Sequence, residues 1–484
     1  MADKAKNHWW ILIVLALAQF MVILDTSIVN VALPAIEKAF HMTQSQLQWI
    51  VTGYTLTFGG FLLFGGRAAD LFGRRRLFMI GTALFGAVSL LDGLAQSGTM
   101  LIALRAAQGL AAALMSPAAL SIVLVTYKEG HERNTALSVW GAVASGGAAA
   151  GVLLGGVITE YLGWRWNFFI NVPVSMAVLY AAWRLVPAHE SEESHNDLDL
   201  LGAVSITGAM MLLVYGLVEA PSHGWTALST LSYLGGAVAL AVFFIANELR
   251  SKHPLVPFNI FKIRNVTGAN LTMMPIVAGM FSTFFFTSLY LQGMLGYSPV
   301  KTGLSFLVIP FAIAISATQV PRFIKKIGYK PILMVAPLVV ALALYLLAHV
   351  PLQGNYVHDL LPGFLLMGFG MGATFVPVTI AATSGVSGRE SGLASGLLNT
   401  SQQIGGALGL AVLTGVATSS ASRFAHHLGS FSSTTGMEAV LHGYHTAFYV
   451  ASGFMVAASV VATIVLKQKG SVGVSQEDAA VAPI

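Results

Sequence analysis

Cysteine is absent, and with it disulfides, thiolate metal sites and cysteine nucleophiles. Charge is nearly absent too: Asp, Glu, Lys and Arg make up 9% of the 484 residues, against 56% hydrophobic. With a mean hydropathy of +0.75, this excludes a soluble domain and leaves an integral membrane protein. No His or carboxylate cluster has metal-ligand spacing, no phosphate-binding glycine loop precedes a helix, and no nucleophile–base pair stands out. An enzyme or an ATP-driven pump is therefore not expected. A cleavable leader is not expected either, because the first apolar run is too long for a signal core and lacks a small-residue cleavage site. The net charge of +5 falls in short loops between apolar runs. It reports membrane orientation and not a nucleic acid partner.

What is there is a series of apolar windows of about twenty residues, the length that crosses a bilayer core. Fourteen are expected, at 9–33, 47–68, 77–97, 100–125, 134–158, 167–186, 198–218, 228–248, 266–291, 301–321, 331–350, 357–382, 391–419 and 443–466. With the N-terminus inside, the outer segments hold only Lys38, Arg165, Lys301 and Arg423 of the 25 basic residues, so both termini are predicted cytoplasmic. The polar tail, 470–484, is too short and mixed to fold and is expected to be disordered.

Between the second and third runs lies Gly65 to Arg76, GGRAADLFGRRR. Gly66 and Gly73 would let two helices meet in a tight turn. Asp70, at the membrane edge, can accept from Arg74 or from a helix N-terminus brought against it. The order of residues resembles the signature loop between helices 2 and 3 of the major facilitator superfamily, Gly-x-x-x-Asp-x-x-Gly-Arg-Lys/Arg. The resemblance implies a conformational gate at Gly66, Asp70, Gly73 and Arg74.

Weak internal echoes recur at one offset. PRFIKKIGYK, Pro321 to Lys330, repeats the turn 255 residues on, with Lys325 in place of Asp70. Arg133 to Leu137 is echoed by Arg389 to Leu393, and Pro117 by Pro377. These suggest two six-helix halves in parallel repeat, as the family's fold would have. Since six helices take only about 190 residues, the two spans from Leu198 to Glu248 read as an insertion. The expected fold is all-α: a six-helix bundle over 1–190, a linker with two inserted helices over 191–256, a second six-helix bundle over 257–469, and the tail. That layout is similar to the fourteen-helix drug:proton antiporters.

The first span carries Leu24-Asp25-Thr26-Ser27-Ile28-Val29-Asn30-Val31-Ala32-Leu33-Pro34, which resembles the antiporters' first-helix motif LD-x-T-IVNVALP. Asp25 lies roughly 6 Å outside mid-span. A carboxylate there costs about 2.5 to 3.5 kcal/mol on insertion scales unless it faces a cavity or a partner. Arg105-Ala106-Ala107-Gln108-Gly109 is similar to the fourth-helix motif R-x-x-Q-G, and Arg105 lies roughly 12 Å outside mid-span. The two depths differ by only about 6 Å, within reach of a long side chain. Asp25 and Arg105 are thus candidates for proton coupling. The alternative is a static pair, with Arg105 held by Gln108 or by Asp92.

Gly147, Gly151 and Gly155 recur every four residues and lie on one helix face, where another backbone can approach; close packing and gating both fit. The region resembles the fifth-helix antiporter motif, although Val152 stands where that motif has proline. Gly163 to Pro173, GWRWNFFINVP, looks like the family's WRW-x-F-x-x-N-x-P loop, and its tryptophans suit an interfacial belt. Candidates for a cavity accepting lipophilic substrates are Asn30, Gln108, Asn270, Phe281, Phe285, Gln292, Asn399 and Gln403, which combine aromatic walls with a few amides.

Together the residues and the resemblance lead us to expect a monomeric secondary transporter of the cytoplasmic membrane of a bacterium. It would export lipophilic or cationic small molecules in exchange for protons by alternating access, with the proton gradient as energy source and no cofactor. For one proton against one monovalent cation the electrical term cancels, and only the pH difference drives export. Proton and cation would then compete for Asp25. A dedicated exporter of one endogenous metabolite, antibiotic or siderophore would share every motif.

Overall fold

The computed structural model describes residues 2–127, 131–187, 199–251, 254–386, 391–428 and 433–467. Most of the acidic linker, the tail 470–484, and Arg389 and Glu390 of the second loop echo lie outside the described residues.

Long apolar runs become helices because a backbone in lipid must satisfy its own polar groups. The first half holds α1 (Ala2–Phe40), α2 (Gln44–Phe72), α3 (Arg74–Gly93), α4 (Gly98–Thr126), α5 (His131–Tyr161), α6 (Trp166–Phe169) and α7 (Asn171–Leu185). Then come α8 (Leu200–His223) and α9 (Leu228–Arg250), followed by α10 (Arg264–Leu289), α11 (Pro299–Phe306), α12 (Val308–Ile327), α13 (Tyr329–Leu347), α14 (Leu361–Thr383), α15 (Ser391–Leu428) and α16 (Ser433–Val465). Polar residues at the membrane edges start and stop them. Thr43 and Gln46 form a reciprocal capping box on α2, and Ser97, Asp199 and Ser298 cap α4, α8 and α11. Gly73, Gly224 and Gly328, each at positive φ, end α2, α8 and α12.

Thirteen spans are long and apolar enough to cross a membrane among the described residues. Helix α5, at 31 residues, occupies the place of the fifth expected span. Two spans are each made of two consecutive helices, α6 and α7 joined by Ile170 and α11 and α12 joined by Leu307, and both linking residues keep α-helical backbone angles, so each pair remains one span. Helices α15 and α16 run past their apolar windows, so Arg423, His426 and His427 stand on helix.

The packing has a recurring pattern. In the first half α1 packs on α5 and α7, α2 on α4, and α3 on α4 and α7. In the last six spans α10 packs on α15 and α16, α12 on α14, and α13 on α14 and α16. The inserted α8 and α9 pack on each other, and α8 also touches both α2 and α15. We call the side bearing the Asp70 turn the basic face.

Candidate functional site

Five helices bring polar side chains to one point inside the first half. Helix α1 contributes Asp25. Helix α4 contributes Arg105 and Gln108, three residues apart and so on one face. Arg105 Nη1 donates to Asp25 Oδ2 at 2.5 Å and to Gln108 Oε1, and its Nε donates to the Ile50 carbonyl of α2 at 3.2 Å. The guanidinium lies 4.3 Å from the centre of the Tyr54 ring. Asp25 Oδ1 accepts from Gln108 Nε2 at 3.1 Å and from Asn171 Nδ2 of α7 at 2.9 Å, and Ser89 of α3 accepts from Gln108 at 2.6 Å. Asp25, Ser89, Arg105, Gln108 and Asn171 are all buried.

Each element of the R-x-x-Q-G pattern has a place in this geometry. A Cβ at Gly109 would collide with the Tyr54 carbonyl and the Thr57 hydroxyl, so glycine lets α2 approach α4 until Ile50 reaches Arg105. Thr57 then donates across the seam to the Ala106 carbonyl at 2.7 Å. The stripe on α5 sets α1 in the same way. A Cβ at Gly147 would stand 3.2 Å from Ile23, one at Gly151 2.6 Å from the Ser27 Cβ, and one at Gly155 2.8 Å from the Ile28 carbonyl.

Buried pairs of this kind are held by hydrogen bonds as much as by Coulomb attraction. Asp25 has three donors, and a carboxylate is acceptor-only. A proton on it removes the charge facing Arg105 and turns one acceptor oxygen into a donor. Protonation state and helix contacts are thereby linked.

Asn171 was not anticipated as part of this site. It belongs to the WRW-x-F-x-x-N-x-P stretch, whose tryptophans suggested only an interfacial belt; its asparagine was the available signal. Ser89 carried no signal at all. Asp92, the alternative partner for Arg105, is buried but makes no hydrogen bond to it.

The turn after α2 is built differently from expectation. Arg74 donates through Nε and Nη2 to Asp70 Oδ1, both at 3.0 Å, with the two side chains 34% and 41% exposed. Arg75 ties the turn to α7 through the Trp183 carbonyl at 2.7 Å. Gly73 bends the chain at φ +94°. Gly66, however, is inside α2, where a Cβ would meet only Pro117, at 3.7 Å. The crowded glycine is Gly65, whose added Cβ would collide with the Ala113 carbonyl.

The expected cavity residues separate into groups. Gln108 is locked into the Asp25 cluster. Phe285 is core, edge-on to Phe286 at 5.3 Å. Asn270 is buried between α10 and α15, donating to the Val266 carbonyl and accepting from Ser401 at 2.7 Å. Gln292 spans the halves, donating to the Val31 carbonyl at 2.9 Å. Asn30, Phe281, Asn399 and Gln403 are half-buried. On α1, Gln19, Ile23, Thr26 and Asn30 share a half-buried side. At 100° per residue, it is turned roughly 100 to 160° from Asp25.

Away from the basic face the halves are joined. Gln44 donates to the Tyr444 hydroxyl at 2.7 Å, and the Val300 amide donates to Glu160 at 2.8 Å. A Cβ at Gly156 would lie 2.6 Å from the Pro299 carbonyl.

A sequence profile described as Major Facilitator Superfamily matches residues 15–410. The puromycin resistance protein pur8 of Streptomyces alboniger is 37% identical over 99% of this chain and 95% of its own. The cephamycin export protein CmcT of Amycolatopsis lactamdurans is 37% identical over 88% of this chain and 89% of its own. Among solved structures, the POT family transporter PepTSo superposes with a TM-score of 0.70 at 13% identity, covering 95% of this chain and 97% of that one, a likeness of fold. The chain is a multi-pass membrane protein and belongs to the major facilitator superfamily.

Proposed function

We propose that the protein exports lipophilic or cationic small molecules across the cytoplasmic membrane in exchange for protons, working as a monomer by alternating access. The basic face and both termini are cytoplasmic on this reading. The observation that carries it is the Asp25–Arg105 pair, fully buried among membrane-spanning helices and held by Gln108 and Asn171. A carboxylate is placed there at a cost, and charging and discharging it changes what holds α1 to α4. Relatives named for puromycin resistance and cephamycin export support the substrate class and the outward direction.

In everted membrane vesicles with an acidified lumen, the protein should drive uptake of a lipophilic cationic dye, and Asp25→Asn should abolish it. Wild-type uptake that survives collapse of the pH gradient would sink the exchange reading. Each of these relatives is named for a single antibiotic, which favours a second reading, a dedicated exporter. A panel of chemically unrelated toxic compounds separates the two: resistance confined to one compound class supports the dedicated exporter.

A further inference from the structure

Asp92 is a second buried carboxyl beside the Asp25 cluster, and the exchange cycle above leaves it without a part. It lies in the last turn of α3, three residues beyond Ser89 and so on the same helix face. Its side chain is fully buried, and neither carboxyl oxygen has a hydrogen-bond partner. The charged side chains of the neighbouring cluster are Arg105 from α4, which packs on α3, and Asp25 from α1, which shares the donors Gln108 and Asn171 with Ser89. Of the other elements packed on α3, α2 brings Tyr54, α6 has no titratable side chain, and α7 brings Asn171 while its Tyr180 and Arg184 lie turns away toward the basic face. Arg165, in the adjoining loop, is engaged with the Ala95 carbonyl at 3.0 Å and the Trp164 ring.

An ionised carboxylate without a donor is far costlier to bury than one with three. One guanidinium therefore serves two carboxyls, and here it is committed to Asp25. We propose that Asp92 is a second proton carrier of the transport cycle, protonated in this arrangement, which hands its proton to Asp25 while Arg105 follows the negative charge. The step balances internally. The O–H bond breaks at Asp92 and forms at Asp25, the charge passes the other way, and no net charge is created inside the membrane. Asp92, at the helix end away from the basic face, is then reloaded from that side, and Asp25 discharges toward the basic face.

The inference rests on the proton-exchange reading, and the test separates the two. Infrared difference spectra of the purified protein should show a protonated-carboxyl C=O stretch at neutral pH that is lost in Asp92→Asn, shifted in Asp92→Glu and retained in Asp25→Asn/Arg105→Gln, where no guanidinium is left to ionise Asp92. In proteoliposomes, a one-unit pH gradient can sustain about tenfold dye accumulation for one proton per dye, and that accumulation should collapse in Asp92→Asn. Asp92→Glu should restore it, with dye binding unchanged in both variants. A C=O band that persists in Asp92→Asn, or export in that variant with the wild-type pH profile, overturns the relay alone. Wild-type export indifferent to pH overturns the exchange reading itself, while the band still reports whether Asp92 holds a proton. If Asp92→Asn does not fold, the band shift and retained pH profile of Asp92→Glu decide the matter.

Discussion

Removing the guanidinium at Arg105 should damage the protein less than removing the carboxylate at Asp25. Asp25→Asn strands a buried guanidinium with only the Gln108 amide oxygen and the Ile50 carbonyl to accept from it. Breaking a buried pair from one side costs about 3 to 5 kcal/mol where the remaining charge is uncompensated, and the one carboxyl left to compensate Arg105, Asp92, must give up its proton to do so. Arg105→Gln is milder. Asp25 keeps the amide donors of Gln108 and Asn171 and can also neutralise itself by taking a proton, so a loss of about 1 to 3 kcal/mol is expected. In Asp25→Asn/Arg105→Gln no charge is buried, and the two amides can bond to each other and to Gln108. The double variant should therefore be more stable than Asp25→Asn. Unfolding midpoints of the purified protein in detergent give the order, and vesicle dye uptake gives the second reading. Stability returns in the double variant while proton-driven uptake does not. If the two single losses add in the double variant, Asp25 and Arg105 are not coupled, and the energetic argument for the site fails. Proton-driven uptake by the double variant would remove Asp25 as the coupling group.

The glycines supply two paired controls. Gly151→Ala should lose about 1 to 3 kcal/mol and impair uptake, since its Cβ lies 2.6 Å from that of Ser27; Gly146→Ala, with nothing within 4 Å, should be neutral or gain about 0.4 to 1 kcal/mol. Gly73→Ala, at φ +94°, should cost about 1 to 3 kcal/mol, whereas Gly66→Ala inside α2 should be tolerated; equal melting losses for the two would refute the assignment of the bend to Gly73.

Much of the fold was legible because the bilayer leaves few choices. A run of about twenty apolar residues must be a helix, and fourteen runs give their order. The meeting of Asp25 and Arg105 was legible as a possibility: the motifs named the two residues, and their depths put them within reach if the two helices face each other. Direction around a helix was not. Gln108 and Asn270 were expected to face a cavity and instead lie locked between helices, and Phe285 is core. A helix buried on all sides has no polar stripe from which its rotation can be read. The same blindness hid Asn171, whose side chain reaches Asp25 only because of the way α7 is rotated about its own axis. It also hid the close approach at Gly65, while Gly66, expected to share the tight turn with Gly73, lies inside α2.

That rotation changes how proton and substrate can be linked. Direct competition for Asp25, the simplest expectation from sequence, needs substrate and carboxylate on one side of α1. The half-buried side, with Thr26 and Asn30, faces away from Asp25, which is sealed by four neighbouring helices. On the exchange reading, the two ligands therefore communicate through α1 itself. Discharging Asp25 loosens α1 from α4, and six residues on, roughly 9 Å along the helix, the Val31 carbonyl accepts from Gln292 of the other half. The Gly147, Gly151 and Gly155 face gives α1 a smooth surface on which to shift. A substrate seated against Thr26 and Asn30 pushes on the same rod from the opposite side. Proton and substrate then exclude one another by opposing positions of one helix, and a neutral substrate, with no charge to offer Asp25, is exchanged by the same device with the membrane potential added to its driving force.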